Sequence, residues 1–158
     1  MIRLLSAFRS IKTYRKVSAL LAVLLLGMMW FFSGQNGEDS GRLSGRVLDL
    51  LLRLWGREVT YSTREYLAFF VRKAAHFTVF LLLGLCVRPN MKKGWHAALF
   101  CLLYAVTDEI HQHFVPGRSC EMRDVGIDAA GALCGIFLWL LFRKIKQGKK
   151  NRTLNNEC

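Results

Sequence analysis

Uncharged, strongly apolar segments alternate with charged ones along this chain. No charged residue interrupts Val17 to Phe32, and apolar runs follow at 74–87, 95–106 and 125–142. Each run, with its flanking residues, is long enough for a helix of about 20 residues that crosses a bilayer. The pattern therefore predicts four transmembrane helices, and their expected bounds are 17–33, 64–87, 94–113 and 124–143.

A further helix is predicted between the first two spans. Leu43, Val47, Leu50 and Leu54 recur at helical spacing within 40–57, while arginines fall on another face. Such an amphipathic helix is expected to lie flat on the membrane surface. The expected fold class is all-α, an integral membrane bundle of four transmembrane helices with an extra amphipathic surface helix, in a single domain.

The net charge of +12 does not indicate a nucleic-acid partner, because of where the cations fall. They concentrate in an N-terminal arm at 1–16, in the loop 88–94 and in a tail at 144–158. With four crossings these segments share one side of the membrane, which the positive-inside rule makes cytoplasmic. Both termini are then expected to be cytoplasmic, with the arm on the anionic inner leaflet.

Polar residues with chemical potential gather where the third predicted span ends. The run from Thr107 to Arg118 combines carboxylates, imidazoles, an amide and a guanidinium between two apolar segments. Ionisable groups beside hydrocarbon are costly, and a chain keeps them mainly where they line a protected cavity. The predicted ligand-binding residues are Arg72, Lys73, His76, Asp108, Glu109, His111, Gln112, Arg118, Asp124 and Asp128.

The rise of a helix places polar residues of three spans at one depth. At ~1.5 Å per residue, Arg72, His76, Asp108 and Asp128 lie ~17–22 Å from the cytoplasmic ends of their helices. That depth is inside a hydrocarbon core ~30 Å thick. We therefore expect a partly buried polar pocket that faces outward.

The last span also carries a spacing typical of helix contacts. Gly131 and Gly135 form a Gly-x-x-x-Gly pair, which lets a neighbouring helix approach closely. Asp124 and Asp128 lie on the same side of this helix. Their carboxylates are therefore expected to point into the bundle.

The first chemistry that fits the pocket is anion binding. Arg72, Lys73 and Arg118 could bind the phosphate or carboxylate of a lipid or lipid-like ligand. Aspartates at 108, 124 and 128 would then fix these cations in place. This interpretation predicts a membrane lipid or a lipid-linked envelope ligand as the partner.

The second chemistry is chelation of a divalent metal. Asp108, Glu109 and His111, with His76 or Asp128, are the candidate ligands. No dedicated metal signature such as H-E-x-x-H is present, and on a helix Glu109 points away from Asp108. The sequence therefore predicts no metal and no other cofactor.

Two further roles are compatible with these residues, in addition to anion binding and metal chelation: an enzymatic role and a purely structural one. An outer-leaflet lipid- or lipid-phosphate-modifying enzyme could use His76 or His111 as a base with a carboxylate partner, although no nucleophile stands out. A membrane scaffold could use the same ion pairs only to lock its helices together. Whether the chain is an enzyme, and which residues would be catalytic, does not follow from these residues.

Four motifs along most of the chain carry a family resemblance. They are Phe32-Ser33-x-Gln35, Arg72-Lys73-x-x-His76-Phe77, Tyr104-x-x-x-Asp108-Glu109-Ile110-His111-Gln112-x-Phe114-Val115-Pro116-Gly117-Arg118, and Asp124-Val125-x-x-Asp128-x-x-Gly131. In this order they resemble the VanZ-like family, which takes its name from a teicoplanin-resistance protein of bacterial glycopeptide resistance clusters. The resemblance assigns no catalytic residue.

What the resemblance implies is a small multi-pass protein of the bacterial cytoplasmic membrane. The family's named member lowers sensitivity to a lipoglycopeptide antibiotic of the teicoplanin type. Combined with the predicted pocket, it leads to one expected function. The chain is expected to bind an anionic amphipathic ligand of the cell envelope at the outer face of the membrane. Its expected partners are a membrane lipid or lipid-linked ligand and a lipoglycopeptide antibiotic.

Overall fold

The regular structure is entirely helical in the computed structural model, which describes the backbone of residues 2–155 and the side chains of residues 13–148. The helices are α1 (Ile2–Ser33), α2 (Gly37–Trp55), α3 (Tyr61–Val87), α4 (Gly94–His113) and α5 (Met122–Asn155). A short 3-10 turn, Arg88–Asn90, joins α3 to α4. The expected all-helical class with an additional helix after the first span is confirmed.

The two basic ends are only partly covered by these residues. The expected contact of the arm 1–16 with the inner leaflet depends mostly on side chains outside the described set, and so does the far end of the tail 144–158. The backbone of the arm belongs to α1, and α5 continues to Asn155. The helices therefore extend beyond the predicted spans at both ends of the chain.

Three of the described helices are long and apolar enough to cross a membrane. These segments are Thr13–Ser33, Tyr61–Asn90 and Met122–Gly148. Large apolar side chains on their outer faces, such as Leu20, Phe31 and Phe137, are exposed, as contact with hydrocarbon requires. The prediction of four transmembrane helices is thus confirmed for three.

Helix α4 is the predicted span that is not among the helices long and apolar enough to cross a membrane. It has 20 residues, enough length to cross, but Asp108 and Glu109 lie in its last turns. Its other end is packed tightly through small residues, since Ala97, Cys101 and Ala105 are fully buried. A fourth crossing by α4 therefore stays a prediction.

Close contact between α3 and α5 forms the centre of the bundle. A Cβ atom on Gly131 would overlap the carbonyl oxygen of Phe77, and one on Gly135 would overlap that of Leu81. From the other side, a Cβ atom on Gly84 would overlap the carbonyl oxygen of Ala132. The absence of side chains at these glycines lets the two backbones touch, as the Gly-x-x-x-Gly spacing predicts.

Amphipathic helix α2 has a defined beginning and end. The side chain of Asn36 accepts a hydrogen bond of 2.8 Å from the backbone N–H of Asp39, which caps the first turn. Gly56 ends the helix in the left-handed region at φ 63°, where a residue without a Cβ atom is favoured. Its exposed Leu54 and Trp55 suit a position on the membrane surface.

Helix α2 is fixed to the rest of the fold at two points. Arg64 of α3 donates two hydrogen bonds to Asp49, of 3.0 and 2.8 Å. At the other end, the N–H of Gly37 donates to the carbonyl of Pro116 at 3.1 Å, and a Cβ atom on Gly37 would overlap the carbonyl of Gly117. The turn after α4 is therefore held against the start of α2, which positions Arg118.

Candidate functional site

The most closely paired of the predicted site residues are Lys73 and Asp124. The ammonium of Lys73, on α3, lies 2.6 and 2.5 Å from the two carboxylate oxygens of Asp124, on α5. Both side chains are only 15% exposed. This pair neutralises the aspartate and joins the two helices, so Lys73 is not free to bind another anion.

One helical turn deeper, His76, Asp108 and Asp128 come together from three helices. One possible ligand atom from each lies within 4.8 Å of the others. Asp128 is 1% exposed and Asp108 is 3% exposed. This histidine–aspartate cluster is built by α3, α4 and α5, in agreement with the depth at which the sequence placed these residues.

Gln112 orients one member of the histidine–aspartate cluster. Its side-chain N–H donates to Oδ2 of Asp108 at 2.9 Å, across one turn of α4. The Oδ1 atoms of Asp108 and Asp128 are both buried and have no hydrogen-bond partner. Nδ1 of His76 lies 3.5 Å from Oδ1 of Asp128, which is too long for a strong hydrogen bond.

Glu109 and His111, which the sequence placed in the same site, contact other parts of the fold. Oε1 of Glu109 accepts a hydrogen bond of 2.5 Å from the backbone N–H of Glu121, so it fixes the segment that leads into α5. The ring of His111 stacks on Trp30 of α1 with centroids 4.0 Å apart and planes 1° apart. Neither residue joins the group that could hold a metal.

A cavity of about 280 Å³ lies between α1, α2 and α3. Apolar side chains form most of its wall, among them Met28, Leu43, Val47 and Phe80. Polar groups line the rest, and they are Ser33, Gln35, Ser40, Ser44, Arg72, His76, Asp108 and Arg118. The cavity is therefore amphipathic, and it reaches the histidine–aspartate cluster through His76 and Asp108.

Two guanidinium groups, those of Arg72 and Arg118, line this cavity without a carboxylate partner among the described residues. Arg118 donates a hydrogen bond of 3.3 Å to the carbonyl of Phe32. The Nε atoms of both arginines are buried and have no partner. Burial, and then the charge of Arg72, lower the pKa of Arg118, because both disfavour a second cation here.

The comparison with protein families decides the identity. The family model described as VanZ/LLP1 matches residues 18–143. The chain belongs to the VanZ/LLP1 family. No curated protein and no solved structure matches it.

Family membership and the three apolar helices together make the chain a multi-pass membrane protein. The matched region begins within α1 and ends within α5, so it contains the cavity and the histidine–aspartate cluster. Membership suggests a protein of the antibiotic-resistance type. The cavity of this VanZ/LLP1 protein combines an apolar wall with two arginine side chains, Arg72 and Arg118.

The sequence did not identify the part of this site that α2 contributes. Ser40 and Ser44 are buried and line the cavity, and Gly41 brings the α2 backbone close to the guanidinium of Arg72. The available signal was the i, i+4 spacing of two small polar residues beside the apolar stripe of an amphipathic helix. Their contact with α1 and α3 depends on the tertiary fold, so the pattern alone did not show it.

Proposed function

We propose that this VanZ/LLP1 protein binds an anionic amphiphile of the cell envelope in the cavity between α1, α2 and α3, and thereby alters the access of lipoglycopeptide antibiotics. One observation carries the proposal. Arg72 and Arg118 share one cavity, lack carboxylate partners among the described residues, and adjoin an apolar wall. Such a site is complementary to a ligand with a negative head and a hydrocarbon chain.

The charge of the cavity favours an anionic head group. Two neighbouring guanidiniums repel each other, and a phosphate or carboxylate between them removes this repulsion. Guanidinium groups bind such anions through two parallel hydrogen bonds, with a geometry that an ammonium does not offer. Lys73, the third predicted cation, is already paired with Asp124, so the arginines are the residues expected to bind the ligand.

The size and wall of the cavity favour an amphiphile over a small soluble anion. Its volume of about 280 Å³ is near the lower end of the range for ligand sites. It can hold a head group and the adjoining part of a chain, while the rest of the ligand lies along the apolar outer faces of the helices. Leu43 and Val47 of α2 would contact the beginning of that chain.

The proposed effect on antibiotics depends on the side of the membrane that the cavity faces. With four crossings and cytoplasmic termini, the turn at Gly117 and helix α2 lie on the outer face. Lipid-linked precursors and acidic phospholipids of the outer leaflet would then reach the cavity laterally. A protein that binds such a lipid competes with an antibiotic for the same anionic surface.

Binding can be tested with purified protein and native mass spectrometry. We expect retention of phosphatidylglycerol, whose head group carries a net negative charge, over phosphatidylcholine, whose zwitterionic head group carries none. Arg72→Gln should weaken this retention by about 10-fold to 100-fold, since a charge-assisted hydrogen bond contributes ~1.5–3 kcal/mol. Arg123→Gln is the matched control, because Arg123 is 66% exposed and pairs with Glu121 outside the cavity.

A second variant fills the cavity without changing its charge. Ser44 is buried against the cavity, where its hydroxyl donates to the carbonyl of Ser40 at 2.9 Å. Ser44→Phe should exclude the ligand chain, whereas Leu50→Phe, on an exposed part of the same helix, should not. Equal retention of both phospholipids by wild type, or full retention by Ser44→Phe, would contradict the proposed site.

The cellular consequence is tested by the minimum inhibitory concentration of teicoplanin in a susceptible host. Cells with the wild-type protein should tolerate more teicoplanin than cells without it, and Arg72→Gln should abolish the difference while Arg123→Gln keeps it. Equal susceptibility with and without the wild-type protein would rule out the resistance role. If the Arg72→Gln protein folds normally but no longer raises the tolerance to teicoplanin, a scaffold role is contradicted. A scaffold would need only correct assembly of its helices.

A second candidate function is the modification of a lipid or lipid phosphate. The histidine–aspartate cluster adjoins the cavity, so an acid–base group would lie beside a bound head group. Lipid extracts from cells with and without the protein, compared by mass spectrometry, distinguish the two functions. A product that disappears with the Asp128→Asn variant would indicate an enzyme, and unchanged lipids would support binding alone.

A further inference from the structure

Two buried carboxylates of the histidine–aspartate cluster each have an oxygen that is not hydrogen-bonded. Asp108 and Asp128 are 3% and 1% exposed, and Oδ1 of each is buried without a partner. A buried polar atom without a partner costs free energy, and a charged one costs more. Two such atoms beside one histidine therefore indicate that a cationic species completes this cluster.

The two arginines of the cavity do not supply that charge. Within the described residues, neither Arg72 nor Arg118 forms an ion pair with these aspartates. Lys73 is held by Asp124. The imidazole of His76 is the one basic side chain in the cluster, at 3.5 Å from Oδ1 of Asp128. At 3.5 Å, Nδ1 of His76 is too far from Oδ1 of Asp128 for a strong hydrogen bond. Even when protonated, one imidazole carries a single positive charge against two carboxylates.

We propose that His76, Asp108 and Asp128 bind a divalent transition metal ion. One ligand atom from each residue lies within 4.8 Å of the others. The separation of 3.5 Å between Nδ1 of His76 and Oδ1 of Asp128 is close to the ~3.4 Å edge of a tetrahedral site with ligands ~2.1 Å from the ion. Asp108, whose Oδ1 is buried without a partner, supplies the third ligand of the set.

Gln112 supports this assignment as a positioning residue. Its hydrogen bond of 2.9 Å holds Oδ2 of Asp108 and leaves Oδ1 free for the ion. Ligands of protein-bound metals are commonly held in this way by a hydrogen bond on the atom that does not bind the metal. The second oxygen, Oδ1, is buried and has no hydrogen-bond partner, so it is available to an ion.

The donor set indicates the class of metal. One imidazole nitrogen with two carboxylate oxygens suits zinc, manganese or another divalent transition metal, whereas magnesium and calcium prefer oxygen ligands alone. Three protein ligands leave at least one position open. Because His76 and Asp108 also line the cavity, that position faces the space between α1, α2 and α3. Binding of an anionic head group to the metal ion at this open position would be a further step, and it alone rests on the proposed function.

The metal content of the full-length protein tests the inference directly. Wild-type protein purified in detergent without added metal should contain a stoichiometric amount of a divalent transition metal by elemental mass spectrometry. Chelation should lower its melting temperature, and zinc or manganese should restore it. His76→Ala and Asp128→Asn should lose both properties. His113→Ala, an exposed histidine at the end of α4, should keep both.

The Gln112→Ala variant provides a second test of the metal site in case the variants of the metal ligands do not fold. This substitution retains all the proposed ligands and should weaken metal affinity by roughly 10-fold to 100-fold. Wild-type protein without metal, and with a melting temperature that neither chelator nor zinc changes, would overturn the inference. Folded His76→Ala protein with an unchanged metal content would overturn it as well.

Arg72→Gln separates this inference from the proposed function. It should retain the metal while it loses phosphatidylglycerol. A wild-type protein that binds metal but no anionic lipid would refute the proposed function alone. One that retains the lipid but binds no metal would refute the metal site alone.

Discussion

The ammonium of Lys73 lies between the two carboxylate oxygens of Asp124, at 2.6 and 2.5 Å, and so joins α3 to α5. Both side chains are largely buried, so neither charge can be hydrated by bulk water if its partner is removed. Lys73→Met should therefore destabilise the protein by about 3 kcal/mol, through the carboxylate left without a partner. Thermal unfolding in detergent measures the effect.

The double variant Lys73→Met with Asp124→Leu is the control for this prediction. It removes both charges and should restore much of the stability lost by the single variant. Arg123→Gln, which breaks an exposed pair with Glu121, should change stability by less than ~1 kcal/mol. A single variant as stable as wild type would show that the Lys73–Asp124 pair contributes nothing to the packing of α3 on α5.

The contact between α3 and α5 predicts a strong difference between glycines of one helix. Gly131→Ala places a methyl group against the carbonyl oxygen of Phe77, so the helices must separate. We expect a loss of about 2 kcal/mol, within the range for overpacked cores, measured by thermal unfolding. Gly126→Ala is the matched control, because a Cβ atom there meets nothing within 4 Å and alanine favours the helix.

Acidification should loosen the contact of α2 with α3 at the Asp49–Arg64 pair. Hydrogen bonds from Arg64 hold the pKa of Asp49 below its ordinary value. The folded state therefore binds the proton less readily than the unfolded state, and the pair stabilises the fold fully above a pH of ~4. This contribution is lost as the pH falls below ~4 and through the lowered pKa. Spin labels at Leu50 and Tyr66, both exposed, should move apart over that range.

Arg64→Gln is the control for the pH dependence. Without the guanidinium, the pKa of Asp49 should return towards its ordinary value, and the label distance should no longer depend on acidification in that range. A wild-type distance that stays constant to a pH well below ~4 would contradict a role for the Asp49–Arg64 pair in holding α2.

The accessibility of Cys120 distinguishes four crossings from three. Cys120 is exposed in the segment between α4 and α5. If α4 crosses the membrane, this segment and the cavity face outward, and an impermeant maleimide should label Cys120 in intact spheroplasts when the other cysteines are replaced. If α4 does not cross, Cys120 is on the cytoplasmic side and should react only after lysis. The second outcome would remove the topological basis of the proposed function.

Much of the helical architecture was predictable from the order of apolar and polar residues. Three local patterns indicated the helices and their contacts. They are the period of the leucines in α2, the Gly-x-x-x-Gly pair of α5, and the apolar runs of α1, α3 and α5. A helix in lipid must satisfy its own backbone and present apolar side chains outward. Those requirements act on neighbouring residues, so they can be read along the chain. The remaining predicted span, α4, contains Asp108 and Glu109, which are buried inside the bundle.

The candidate site was predictable as a set of residues but not as an arrangement. Helix rise placed His76, Asp108 and Asp128 at a common depth, and the fold brings them within 4.8 Å. Helix geometry already directed Glu109 away from Asp108. It could not give the partners of Glu109 and His111, which are the Glu121 backbone and Trp30. Side-chain partners across helices depend on rotation and packing, which local periodicity does not encode.

By itself, the sequence determined the helices, their apolar faces and the ionisable residues whose placement beside hydrocarbon is energetically costly. Only the tertiary structure decided which of those charges are already satisfied. Lys73 is neutralised by Asp124, whereas Arg72, Arg118 and the Oδ1 atoms of Asp108 and Asp128 retain unpartnered atoms. The physical reason is that ion pairing between helices falls off over a few ångströms, and those distances are set by how closely α3, α4 and α5 pack.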